Sequence, residues 1–447
     1  MPMMKDYLFW LSETRTGFAR AELLALFTLF DHPIALPDDF GELPYVIVAS
    51  SNEDRLMEIA QRSVCTKFVI HLWTHSKDHS ELFSKLKECQ WCLDPVNCDE
   101  NRAFRFTVFC FGKKVSQSVK TDKIEQLSFL PFRGPIRLEG ADNIFFYVEN
   151  YGRHLEKAPE DPLEIFFGKW LCDGNRKAMS FFSLKSRKFI SNTSMDPLFA
   201  LIMANLALVR DGDVVLDPFV GSGSLLVASA YFGARVFGSD IDYLLLHGKT
   251  KPTRADVKKR EPEECIRTNF KQYKMEEKYL DILVADTSKP LWRKFEFDAI
   301  ITDPPYGIRE NSQKVGTTKV DVKIPEELLA AHIPSKVHYS LGNIVDDLFE
   351  LGLTNLKIGG RLVFWFPKSR NESHEESLPI HPSFKLISYS VQQLAQNVDR
   401  ILVCYELVRI DSKVDPFIPR AVKQFRQTYF TNLGKECKVK YEEDSGK

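Results

Sequence analysis

After Met195 the chain repeats one pattern: a short apolar run ends in an aspartate, a turn follows, and a helical stretch comes next. Val214-Val215-Leu216 runs into Asp217, Arg235 to Ser239 into Asp240, Ile282 to Ala285 into Asp286, and Asp298 to Thr302 into Asp303. Strands that alternate with helices pack as a parallel sheet with helices on both faces. In such a sheet ligands collect at the carboxyl ends of the strands. The pattern therefore predicts a doubly wound, mostly parallel α/β sheet over residues 195–432 with several carboxylates on one edge.

The first of these turns is Asp217-Pro218-Phe219-Val220-Gly221-Ser222-Gly223-Ser224, with Leu225 to Ala230 as the helix behind it. Gly221 and Gly223 let the backbone approach a ligand, and the helix start offers unpaired N–H groups. Asp240 stands where such folds hold a ribose hydroxyl pair, and Asp286 can accept from an adenine amino group. A nicotinamide dinucleotide fits less well, because Leu226 stands where its third glycine belongs. Gly248-Lys249-Thr250 is no phosphate loop either, since Tyr243 occupies the upstream glycine position.

The most distinctive segment is Asp298-Ala299-Ile300-Ile301-Thr302-Asp303-Pro304-Pro305-Tyr306-Gly307. Two prolines stiffen the backbone and leave its carbonyls free to accept. An exocyclic amine on a base is a poor nucleophile because its lone pair is conjugated with the ring. Acceptors at the Asp303 carboxylate and the Pro304 carbonyl orient its N–H bonds and favour lone-pair density at nitrogen as a methyl group transfers. Tyr306 offers a face on which a base can stack. No Ser/His/Asp set suggests a covalent nucleophile.

Composition narrows the setting. Lys and Arg total 60 against 61 Asp and Glu, so no global positive field advertises a nucleic acid, and any such site is local. The mixed runs Arg102 to Phe106 and Lys185 to Phe189 read as solvated strand faces. The apolar stretch Pro197 to Val209 is too short for a bilayer and contains Asn205, so it reads as a core helix with no membrane role. Nine cysteines, an odd and scattered set, fit reduced thiols and a cytoplasmic protein. Cys89 and Cys92, with Cys98 nearby, lack a second paired knuckle, so no metal site is expected.

The amino-terminal part reads as two small α/β units. Strands are expected at Lys5 to Leu11, Pro44 to Ala49 and Lys67 to Trp73, with helices at Gly17 to Phe30 and Asn52 to Arg62. The second unit has helices at Leu82 to Lys87 and Gln117 to Phe129, and strands at Phe104 to Phe111, Ile144 to Val148 and Glu164 to Leu171. Cys172 to Ser194 reads as a linker, Lys249 to Glu264 as a solvated charged insertion, and Ile308 to Ser340 as a lid-length loop. The tail 433–447 reads as flexible.

The series Asp217-Pro-Phe-Val-Gly-Ser-Gly, Asp240, Asp286 and Asp303-Pro-Pro-Tyr resembles the Rossmann-like amino-methyltransferases from about Met195 to Arg409. The amino-terminal portion resembles a ferredoxin-like unit (1–75) followed by a THUMP domain (76–172), partly on Phe129-Leu130-Pro131-Phe132-Arg133-Gly134. With Thr193-Ser194-Met195-Asp196-Pro197 and Gly307-Ile308-Arg309-Glu310, the whole chain is similar to the catalytic subunits of eukaryotic tRNA guanine-10 N2-methyltransferases. That resemblance implies a seven-stranded sheet over 195–432 behind a linker at 173–194, and N2-methylguanosine in tRNA as product. It also implies S-adenosylmethionine as cofactor and a small zinc-binding activator subunit as partner. Asp303, Pro304, Pro305 and Tyr306 become the catalytic tetrad. Asp217, Phe219, Gly221, Gly223, Asp240, Ile241, Asp286, Thr287 and Asp303 become the cofactor set. An acceptor on DNA or on a protein glutamine, or a non-catalytic tRNA-binding subunit, is the alternative.

Overall fold

The computed structural model describes residues 3–12, 16–34, 36, 43–153, 158–254, 257–261, 263–289, 291–293, 295–308, 310–318, 327, 333–394, 397–411 and 414–431. The expected tail at 433–447, Arg309, and most of 319–332 in the expected lid loop lie outside the described residues. The chain divides into two compact units, Met1–Arg176 and Lys177–Lys447.

The first unit is built on six strands: β1 (Lys5–Leu11), β2 (Tyr45–Ser50), β3 (Thr66–Ser76), β4 (Phe104–Phe111), β5 (Asn143–Asn150) and β6 (Glu164–Asp173). They form one sheet in the order β2-β1-β3-β6-β5-β4. The two α/β units read from the sequence thus share a single sheet, joined where β3 pairs antiparallel with β6. The sheet also curls. Trp10 on β1 lies 5.4 Å from both Phe109 and Phe111 on β4, although three strands separate the two in the sheet order. A largely buried core rich in aromatic rings fills the hollow, because rings of this size bury a large apolar area for few torsions frozen.

Local chemistry sets the helices of this unit. Asn52 accepts from the Arg55 N–H at 3.0 Å to cap Glu53–Arg62, whose Glu53 and Asp54 sit at the positive end and Arg62 at the negative end. Leu56, Ile59 and Ala60, at helical spacing, face inward. The helix expected to reach Phe129 ends at Glu125. Leu127 and Leu130 leave it through short turns and bury themselves in the core instead.

The second unit carries β7 (Val214–Asp217), β8 (Arg235–Asp240), β9 (Tyr279–Val284), β10 (Phe297–Thr302), β11 (Gln313–Val315), β12 (Lys336–His338), β13 (Leu356–Ser369), β14 (Phe384–Gln393) and β15 (Val398–Leu407). Seven of them form a sheet in the order β14-β15-β13-β10-β7-β8-β9. The pairs from β13 to β9 are parallel, and β15 runs antiparallel to both its neighbours. This is the doubly wound Rossmann-like sheet expected, and its order reverses between β7 and β10. Pro197–Leu206, capped by Asp196 and buried on every side, is a core helix. No helix among the described residues is long and apolar enough to cross a membrane.

Two stretches expected to be loose are packed. Within 172–194, Cys172 belongs to β6, Lys177–Phe181 is helical, and Phe182, Arg187 and Phe189 are buried. The charged insertion is pinned to this stretch by two arginines. Arg254 donates to the carbonyls of Leu184 (3.1 Å) and Arg187, while Arg260 donates to those of Ile190 (3.1 Å) and Thr250 (2.9 Å) and lies 5.0 Å over the Phe189 ring. Carbonyls at the ends of short turns need donors, and a guanidinium supplies five.

Candidate active site

Because β7, β8, β9 and β10 are parallel, their carboxyl ends share one edge, and Asp217, Asp240, Asp286 and Asp303 end there. The glycine turn occupies the middle of that edge. Gly221 and Gly223 take positive φ, 51° and 77°, a conformation that other residues adopt only with strain. Around Gly223 a Cβ would come 2.6 Å from Ile266 Cγ2, so the helix Ser224–Tyr231 begins in a tight seat. A Cβ at Gly221 would meet open space, so here the backbone faces room for a ligand.

The aspartates are tied to this turn. Asp240 accepts from the Gly221 and Asp242 N–H groups, both at 2.9 Å. Asp217 is buried and accepts from Thr302 Oγ1 at 2.7 Å and the Phe219 N–H at 3.1 Å, which links β7 to the end of β10. Thr287 donates to the Pro218 carbonyl at 2.9 Å. Asp286 accepts from the N–H groups of Ser288 (3.0 Å) and Val315 (2.7 Å). Ile241 follows Asp240 directly, half-buried on the same edge.

Burial pushes the Asp217 carboxyl up to about 7 against the pull of Thr302 and the Phe219 N–H. A folded value above the ordinary one means the fold disfavours the charged form. This stability is full below about pH 4 and is lost as pH rises through about 7. Asp217→Asn keeps an acceptor for both donors and removes the charge. It is expected to raise the melting temperature by a few degrees at pH 8 and leave it unchanged at pH 4. A lower melting temperature at pH 8 would contradict the assignment.

At the end of β10, Tyr306 donates to Asp303 Oδ1 at 2.5 Å, and Arg400 on β15 donates to Asp303 Oδ2 at 3.2 Å. Burial raises the Asp303 carboxyl above its ordinary value; Arg400 and Tyr306 oppose the shift without cancelling it. Tyr306 packs half-buried against the main core of the unit, and the Arg426 side chain donates to the Gly307 carbonyl at 3.0 Å. All the residues expected to form the tetrad and the cofactor set therefore lie at one edge of one sheet.

Two residues that belong to no recognised motif lie at the same edge. Arg187, in a run read as solvated, is buried and donates to Ser224 Oγ at 2.8 Å and the Phe182 carbonyl at 3.0 Å, fixing the start of the helix behind the glycines. Arg400 carries no motif at all. The cysteine run Cys89 to Cys98 lies in the other unit, and no metal-binding group of His, Cys, Asp and Glu occurs among the described residues. An open depression of about 480 Å³ in that unit, lined by Asn101, Arg102 and Arg133 among others, contains none of the candidate residues.

Residues 5–176 match the family described as Tmrp11 THUMP N-terminal domain, and residues 185–319 match RMKL-like, methyltransferase domain. The tRNA (guanine(10)-N(2))-methyltransferase of Xenopus laevis is 42% identical, the match covering 96% of this chain and 92% of that protein. The human protein of the same name is 38% identical, with 97% and 96% covered. The Saccharomyces cerevisiae one is 31% identical, with 96% and 100% covered. On identity spread over nearly the full length of each relative, the chain belongs to the tRNA (guanine(10)-N(2))-methyltransferase family.

Proposed function

We propose that this chain transfers a methyl group from S-adenosylmethionine to the exocyclic N2 of guanosine 10 in tRNA, giving N2-methylguanosine. The observation that carries the reading is the Asp303 carboxylate at the end of β10, on the same sheet edge as the glycine turn and bonded to Tyr306 and Arg400. Family membership supports the acceptor and the substrate.

The residues at the edge fit the cofactor. The open space at Gly221 admits a ligand against the backbone, and each Asp240 oxygen keeps a lone pair for a ribose hydroxyl after accepting its backbone N–H. Phe219, Gly223, Ile241, Asp286 and Thr287 complete that set, and Asp217 braces it from beneath. When bound, the cofactor supplies an electrophilic methyl on a positively charged sulfur.

Asp303, Pro304, Pro305 and Tyr306 act on the acceptor. The Asp303 carboxylate and the Pro304 carbonyl accept the two N2 protons, draw the lone pair out of the ring, and offset the positive charge that grows on nitrogen. Tyr306 supports the base. Once the methyl–nitrogen bond has formed, N2 must lose a proton, and Asp303 is placed to receive it. The ionised carboxylate is the working form, so turnover should be lost as pH falls through a midpoint above the ordinary aspartate value. Initial rates across a pH series check this.

The THUMP-containing unit, residues 76–172 within it, is assigned to holding the tRNA, and a small zinc-binding activator subunit to assisting it. A cytoplasmic location accords with eight free cysteines among the described residues. The deciding assay incubates the protein, with and without the activator, with labelled S-adenosylmethionine and unmodified tRNA, and identifies the product nucleoside by mass spectrometry. N2-methylguanosine at one position supports the reading. Cofactor binding with no methylated nucleoside would move the acceptor elsewhere, a protein glutamine first.

A further inference from the structure

Arg400 is held more rigidly than a simple counter-ion needs. Its Nε donates to Gln392 Oε1 at 2.7 Å, and its guanidinium lies 4.0 Å over the Trp365 ring and 5.3 Å from the Phe199 ring. These contacts fix the plane of the group, so its donors point in set directions. A guanidinium has five N–H donors, more than Gln392, Asp303, the Met195 sulfur at 3.9 Å and the neighbouring Tyr306 hydroxyl take up. With 14% of the Arg400 side chain and 24% of the Asp303 side chain exposed, the pair can be reached by a ligand.

A carboxylate beside a guanidinium presents two acceptors followed by a donor. The Watson–Crick edge of guanine presents the complement: the N2 and N1 protons as donors, then O6 as acceptor. With their exocyclic amines turned to Asp303, adenine sets its N1 lone pair and cytosine its N3 lone pair against the second carboxylate oxygen. We propose that the Asp303–Arg400 pair reads guanine as a pairing cytosine would, Asp303 accepting from N2 and N1 while Arg400 donates to O6. This rests on the proposed function and adds to it the residue that selects the base. Arg400 is then a specificity determinant that contacts the substrate.

The test uses the full-length protein and two ligated tRNAs, one with guanosine and one with 6-thioguanosine at the methylated position. Sulfur is a much weaker acceptor than oxygen and leaves the N1 and N2 protons in place. The wild type should prefer guanosine in kcat/KM by about tenfold, the scale of one hydrogen bond from a charged donor. Arg400→Gln should lower the guanosine value and shrink the preference to within about twofold, while Arg400→Lys, with a charge and fewer aimed donors, should fall between. Equal use of both tRNAs by the wild type overturns the proposal even if neither variant folds. So does a preference unchanged in both variants with activity on both tRNAs recovered at higher pH, since Arg400 would then serve only to keep Asp303 ionised. Methylation of neither tRNA by the wild type would instead bring down the underlying function.

Discussion

Asp303→Ala should lower the rate of methyl transfer by about a thousandfold, the scale seen when a group aimed at developing charge is removed, while tRNA affinity changes by about twofold or less. The asymmetry follows from the geometry. The carboxylate meets one amine on one base, whereas a polyanion the size of tRNA is held mostly through many phosphate contacts. Asp303→Asn is the stringent companion. It keeps one acceptor oxygen but turns an amide NH2 toward either Tyr306 or Arg400, so it should lose about a hundredfold or more in rate, the scale of a single misplaced catalytic group. Single-turnover rates and filter-binding affinities on the same preparations separate chemistry from recognition. Equal losses in both would make Asp303 a structural residue.

The second large effect is expected from removing residues 1–176. Every strand of the first sheet ends by Asp173 and every strand of the second begins after Lys177, so the cut breaks no strand pairing. The remaining unit keeps the glycine turn and its four aspartates. It should therefore bind the proposed cofactor with affinity unchanged within about threefold, while tRNA affinity should fall by about a hundredfold, as when several phosphate contacts are lost together. Calorimetry with the cofactor shows whether the truncated chain is folded, and gel shifts with tRNA then read recognition. Full tRNA affinity in a folded truncated chain would remove the proposed role of the amino-terminal unit.

What could be read before folding was local. An apolar run that stops at an aspartate is visible within ten residues, and a parallel sheet then gathers such residues without further instruction. Asp217, Asp240, Asp286 and Asp303 were legible for that reason, and so was the sheet that carries them. Arg400 was not, because its place depends on β15 lying against β13, which lays its guanidinium over Trp365 beside an aspartate 97 positions earlier. Arg187 was misread as solvated for the same reason: Ser224 and Tyr273, 37 and 86 positions away, give it a buried seat that nearby residues do not foretell. The amino-terminal sheet was read as two separate units because β3 and β6 pair over a long separation that no local period records.

The order of that first sheet bears on how the protein is made. Its last strand to be synthesised, β6, lies in the middle, between β3 and β5. A ribosome therefore releases β1, β2 and β3 as one piece and β4 with β5 as another, and no strand pairing joins the two until residues 164–173 have emerged. Until then Trp10, Phe68 and Phe166's future neighbours have no closed core, and two strand edges stay unpaired, a state prone to aggregation and in need of chaperoning. Closing a sheet by its central strand also places the most distant pairings at the rate-limiting step, so this half should fold slowly for its size. A nascent chain stalled before β6 should be protease-sensitive throughout, and one stalled well beyond it should become resistant in a single step.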